Sequence, residues 1–231
     1  MASSATSRNT LKQLRSADRP RAHAGSSDVE QQIFSATERL LEHTPAHELS
    51  VAQIIEEAGV ARATFYFYFS SKYAVLAGLL AQVMDRIFEV VRPWLDRAPD
   101  ADARDALRDS LVGAGRVWRE HRRALRAVVE NWRTAPELES MWLTMVDRFS
   151  TAVAIEIDRE RKTKQAPAGL DSRRLAAALI WSAERLLYVG GLGEHEPLPD
   201  EDAAVEALAV LWISAIYGAH PATPKPATRR R

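Results

Sequence analysis

Residues 50–72 read SVAQIIEEAGVARATFYFYFSSK, and the reading of this stretch decides the fold. Ser50 carries the hydroxyl that an N-cap needs, and Val51, Ile54, Ile55 and Ala58 then share one face of a short helix. Gly59 ends that helix, because glycine accepts the left-handed backbone of a C-terminal cap. After the turn Gly59-Val60-Ala61, a second short helix runs from about Arg62 to Tyr68. Phe65 and Phe69 are four apart and share its inner face, where with Val60 they meet Val51, Ile55 and Ala58. Arg62, Ala63, Tyr66 and Phe67 fall on another face. Two short helices joined by a glycine-bearing turn make a helix-turn-helix, whose second helix can enter a DNA major groove. The run FYFYF is rich in strand formers, but a strand would need a partner that neither flank supplies.

Outward from this core, helical periodicity continues in both directions. Asp28 is placed to cap a first helix with Ile33, Phe34, Ala36, Leu40 and Leu41 inward, and Thr44-Pro45 stops it. Ser70 and Ser71 offer the cap of a fourth helix, from Lys72 to about Arg92, which Pro93 ends. Longer helices are expected near 102–119, 122–133, 136–161, 171–189 and 200–217, with Asp171 and Asp200 as N-caps. Gly190-Gly191-Leu192-Gly193 follows a helix rather than a strand and reads as a helix stop. The expected fold is all-α, with about nine helices. A three-helix DNA-binding domain spans 28–71, and an effector-binding and dimerisation domain spans 72–218, with 72–92 as the linking helix.

The chain has 231 residues, 46% of them apolar, and no cysteine, which excludes a disulfide framework and thiolate chemistry. The opening MASSATSRNT lacks the apolar segment of a signal peptide. The best candidate for a membrane span, Leu175 to Val189, is interrupted by Glu184 and Arg185, so no membrane partner and a cytoplasmic location are expected. Net charge is zero. Residues 1–27 carry Arg8, Lys12, Arg15, Arg19 and Arg21 against Asp18, and 219–231 carry Lys225, Arg229, Arg230 and Arg231 without an acid. Both segments read as disordered basic tails, the first an arm able to touch DNA backbone or minor groove. Residues 28–92 hold five basic and nine acidic side chains, so non-specific DNA affinity should be weak without the arm. There is no zinc-type histidine spacing, phosphate-binding glycine loop or Gly-x-Ser-x-Gly elbow, and His121 and His195 read as surface or loop residues. No catalytic site, metal or cofactor is expected.

All six tryptophans lie at or beyond Pro93. Trp142, Met145 and Phe149 recur on one face of the 136–161 helix, and Trp181, Glu184 and Tyr188 on one face of the 171–189 helix. Singly each reads as core packing. Together, with Leu107, Leu111, Trp118, Ile180, Ala183, Leu187 and Trp212, they outline an apolar pocket for a small molecule. Glu184 is a carboxylate among apolar neighbours and needs a partner or a proton. A salt bridge and a ligand contact both remain open. The last helix has two apolar stripes: Val205, Leu208, Trp212 and Ala215, and Ala204, Ala207, Leu211 and Ser214. One stripe would face the core and the other a partner subunit, joined there by Leu175, Leu179 and Leu186.

The stretch Thr64-Phe65-Tyr66-Phe67-Tyr68-Phe69, followed by Ser-Lys, resembles the signature of the TetR family of repressors, and the FYFYF run is similar to its EthR-like members. The resemblance is specific over about residues 28–92 and weaker to about 218. It implies a homodimeric transcriptional repressor that grips palindromic operator DNA and answers to an apolar effector. Under it, Ser50 binds a phosphate, Arg62, Ala63 and Phe67 approach base edges, and Thr64 caps or contacts the backbone. Tyr66, Tyr68 and Lys72 hold phosphates. The dimer would pack its last two long helices into a four-helix bundle and set two reading heads about 34–36 Å apart. Two departures stand out. Ala61 replaces the serine usual before the arginine, which removes an N-cap worth roughly 1 kcal/mol. Tyr73 stands where an acidic residue often follows Ser-Lys, so the capping box of the fourth helix is lost. Ile180 and Ala183 also replace asparagines that fix ligand in the EthR-like members, which implies a less polar effector. The rival reading is an all-helical carrier of apolar ligands without specific DNA binding.

Overall fold

The computed structural model describes residues 27–98 and 101–218. The C-terminal basic tail and all but the last residue of the N-terminal arm lie outside the described residues. Within them the chain is helical: α1 (Ser27–Leu41), α2 (Val51–Ala58), α3 (Arg62–Tyr68), α4 (Lys72–Leu95), α5 (Ala103–Glu120), α6 (Arg122–Asn131), α7 (Pro136–Lys162), α8 (Ser172–Leu192) and α9 (Glu201–Tyr217).

The helix boundaries follow from local chemistry. Ser50 accepts from the Gln53 amide while the Gln53 side chain accepts from the Ser50 amide, a reciprocal box that starts α2. Gly59 ends α2 at φ 64°, the left-handed cap. Ala61 starts α3 without a side-chain cap. Ser71, Asp171 and Asp200 each accept a backbone amide at the starts of α4, α8 and α9. Asp28 differs from its expected place: it lies in the first turn of α1, where its charge favours the helix dipole, rather than at the cap.

Three other expectations are corrected. Pro93 does not end α4. It sits in the last turn, where one missing amide bond is tolerated because Trp94 and Leu95 beyond it are buried. Gly190 and Gly191 do not stop α8, which runs on to a left-handed cap at Gly193. A Cβ on Gly190 would lie 2.5 Å from the Asp200 carbonyl, so the glycine permits close approach of the α8–α9 connection. Ser172–Leu192 does have the length and hydropathy of a membrane span, despite Glu184 and Arg185. It packs instead against α7 and α9 as a helix of the C-terminal bundle.

Two regions share one helix. The head is α1–α3, packed around Ile33, Phe34, Ile54, Phe65 and Phe69, with the Phe34 and Phe69 rings 5.4 Å apart. The first turns of α4 close this core with Val75, Leu76 and Leu79. The same helix then runs into the second region, where it packs on α5 and α7. Helices α8 and α9 complete that bundle, and α6 lies between it and α1.

Candidate nucleic-acid interface and effector cavity

The two faces of α3 are sharply different. Phe65 is fully buried and Phe69 nearly so, whereas Tyr66 is 46% and Phe67 77% exposed. Arg62 and Ala63 are exposed beside them, and Thr64 and Tyr68 are half-buried. The Arg62 guanidinium lies 5.3 Å from the Tyr66 ring centroid, a cation–π contact that steadies the arginine on the outer face. An exposed phenylalanine, tyrosine and arginine on one short helix form a surface fitted to contact with something else. Ser50 is exposed at the start of α2, with its hydroxyl donating to Gln53 Oε1 at 2.8 Å.

Lys72 is placed differently from the phosphate role. Its ammonium donates to the carbonyls of Ala46, His47 and Leu49 at 2.9, 3.0 and 2.7 Å. All three donors are used, so the lysine clamps the α1–α2 loop onto the start of α4. The charge of a lysine was legible in sequence; the three convergent carbonyls were not.

The second site is a cavity of about 120 Å³ among α4, α5, α7, α8 and α9. Eleven of the thirteen candidates line it: Leu107, Leu111 and Trp118 from α5; Trp142, Met145 and Phe149 from α7; Ile180, Ala183, Glu184 and Leu187 from α8; and Trp212 from α9. Trp181 and Tyr188 do not. Trp181 lies partly exposed against Trp132 and Trp142, and Tyr188 turns away to donate to Glu130 at 3.0 Å. The largest omission was α4, which supplies Met84, Ile87, Val91, Trp94 and Leu95. Their helical spacing was a readable signal. Ser110, Ala114, Val146, Val153 and Leu208 complete the wall.

Glu184 is the only acidic residue in that wall. Burial raises its carboxyl above the usual range, partly offset by Arg185, whose Nη2 is 3.7 Å away on the exposed side. Its cation is thus its own neighbour rather than a residue of another helix. The indole N–H groups of Trp142 and Trp212 are buried without a partner, so the wall holds donors as well as hydrocarbon. Among the described residues, no group of three His, Asp or Glu side chains could hold a metal ion.

The expected subunit face is only partly at the surface. Leu211 is 43% exposed, Ser214 is exposed, and Leu175, Leu186 and Ala207 are half-buried. Val210, at 62%, extends this stripe and was not anticipated. Leu179 and Ala204 are buried within the chain, Ala204 against Gly190, because α8 and α9 use those positions to pack on each other. They are removed from the candidate interface.

Comparison with known proteins agrees with this anatomy. Residues 33–79 match the model of bacterial regulatory proteins of the tetR family, and residues 107–218 match that of the C-terminal domain of the transcriptional regulator EthR. The HTH-type transcriptional regulator EthR of Mycobacterium tuberculosis is 32% identical over 218 residues, covering 94% of this chain and 99% of the relative. A TetR-family transcriptional regulator of Syntrophomonas wolfei superposes with a TM-score of 0.71 at 15% identity, over 86% of this chain and 100% of that one. The complex of SmeT, from Stenotrophomonas maltophilia, with triclosan does so with a TM-score of 0.64 at 19% identity, over 87% and 99%. The chain belongs to the TetR family of transcriptional regulators, in its EthR-like branch, and α1–α3 are its DNA-binding head.

Proposed function

We propose that the protein is a repressor that binds a palindromic operator as a homodimer in the cytoplasm, and that an apolar small molecule in the α4–α9 cavity changes its grip on DNA. The observation that carries this reading is the double role of α4. Its first turns complete the core of the head, and its later turns supply Met84, Ile87, Val91, Trp94 and Leu95 to the cavity wall. An occupant that favours one setting of α4 thereby favours one placement of α3. It can do so only by its difference in affinity for the two settings. SmeT, of the same fold, holds triclosan, an example of such an occupant in another protein.

In this reading Arg62, Ala63 and Phe67 meet base edges, while Ser50, Tyr66 and Tyr68 fix the head on the backbone and Thr64 caps or contacts it. Lys72 acts indirectly, by holding the loop before α2. The dimer forms through the exposed stripe of Ala207, Val210, Leu211 and Ser214 with Leu175 and Leu186 of α8, an apolar strip that a second copy would cover. The test is selection of bound fragments from sheared genomic DNA by the purified full chain. The expected result is enrichment of a palindrome with half-sites one helical turn, or a multiple of it, apart. Failure to enrich any sequence above input would leave the apolar-ligand carrier in its place.

A further inference from the structure

A second, smaller hollow adjoins the cavity. It is lined by Trp118, Arg122, Arg123, Arg126 and Tyr188, with Gly191 and Leu192 at its rim. Trp118 belongs to both walls. The chain passes from one to the other twice. On α5 and α6 the cavity residues Ala114 and Trp118 are followed by Arg122 and Arg123 of the cleft; on α8, Ile180, Ala183 and Leu187 are followed by Tyr188 and Gly191. The oily chamber therefore abuts a basic cleft at one end.

The charges there are unbalanced. Arg126 is engaged by Glu130 at 2.8 Å, that carboxylate also accepts from Tyr188, and Glu194 acts on Arg126 as well, leaving Arg122 and Arg123, among the described residues, as the cations without an acid. Arg119 is engaged by Asp202 and Glu201. Arg122 and Arg123 are exposed, and among the described residues neither has an acidic partner within ion-pair distance. Both stand in the first turn of α6, which has no acidic residue and no side-chain cap, so the helix dipole adds to their positive field. The cleft holds about 10 Å³, room for about one water or one anionic oxygen.

We propose that the effector is an amphipathic anion of medium chain length, with its hydrocarbon tail in the tryptophan-lined cavity and its carboxylate or phosphate head on Arg122 and Arg123. This rests on the reading of the cavity as the effector site. The cavity of about 120 Å³ bounds the tail to a chain of modest length. Burial raises the Glu184 carboxyl above its usual range, and Arg185 Nη2 lies 3.7 Å from it, so the one acid in the chamber wall has a cation beside it. The location also suits signalling. His121, directly before Arg122, contacts Glu38 of α1 through Nδ1 at 2.7 Å, so the head group sits beside the joint between the effector bundle and the DNA-binding head.

The experiment titrates the purified full chain with octanoate, octyl phosphate and 1-octanol, following tryptophan fluorescence. Parent, R122A/R123A and the charge-keeping R122K/R123K are compared, all first shown to melt alike. The expected result is that at least one anion binds about tenfold more tightly than octanol. R122A/R123A should lose that gap and keep its octanol affinity, while R122K/R123K should retain most of it. Preference for octanoate identifies a carboxylate head, and preference for octyl phosphate a phosphate head; either supports the proposal. Equal binding of octanol and both anions, or an anion preference untouched in R122A/R123A, overturns it and leaves the cavity reading standing. No binding of any of the three overturns both.

Discussion

The recognition helix and the effector cavity are both built from aromatic residues, and they use them in opposite ways. In α3, consecutive aromatics divide between two faces, with Phe65 buried and Phe67 at 77% exposure. In the cavity, Trp94, Trp118, Trp142 and Trp212 come from four different helices and all face inward. The first arrangement is local: seven residues of helix and a glycine-capped turn suffice to define it. The second exists only once α4, α5, α7, α8 and α9 have packed. A surface aromatic face is thus a property of one segment, and a ligand chamber a property of the whole bundle.

The largest expected effect separates the two faces of α3. Phe65→Ala should cost about 3–5 kcal/mol of stability, because it empties a fully buried ring site. Phe67→Ala should leave the melting curve within about 0.5 kcal/mol of the parent while weakening DNA binding. Equal destabilisation by both, measured by denaturant melts, would remove the contrast.

The next effect belongs to the effector bundle and concerns pH. Glu156 is buried beside Glu160, Arg159 and Arg97, and burial first, then its contact with Glu160, pushes its carboxyl from 4.5 up to about 8. The folded state therefore holds this proton more tightly than the unfolded chain. Its stabilising contribution is complete below pH 4.5 and is lost as pH rises through about 8. Glu156→Gln should flatten this dependence and be about 1–2 kcal/mol more stable than the parent at pH 8. Thermal melts at pH 5 and pH 8 read it directly, and identical pH profiles would show that the site is hydrated or fully ion-paired.

The smallest effect returns to α3. Ala61→Ser supplies the missing cap and should add about 1 kcal/mol, seen as a small rise in denaturation midpoint. A loss of stability would mean that the start of α3 is not a simple uncapped N-terminus.

Much of this was legible in the chain. The turn at Gly59, the caps at Ser50, Asp171 and Asp200, and the buried pair Phe65 and Phe69 all follow from spacing and side-chain chemistry within a few residues. What escaped depends on how helices are rotated against one another. Periodicity places Trp181, Glu184 and Tyr188 on one face of α8, but the bundle admits Glu184 to the cavity and leaves the two aromatics outside. Ala204 and Leu211 share a stripe of α9, yet the first packs on Gly190 and the second is exposed. The position of α4 between the two regions marks it as a link, yet Met84, Ile87, Val91 and Trp94 repeat at helical intervals and also line the chamber. Lys72 shows the same limit, since its three carbonyl partners come from a loop more than 20 residues earlier.

The central claim is that the outer face of α3 reads DNA, and the most direct measurement is the affinity of R62A/Y66A for the duplex that the parent selects. Both residues are exposed, so the variant should fold and melt as the parent does. At least about a hundredfold weaker binding to that duplex, about 2.7 kcal/mol, is expected, with a smaller loss on scrambled DNA because the proposed Tyr66 backbone contact is made on any sequence. A variant that folds normally and binds the selected duplex as tightly as the parent would contradict it.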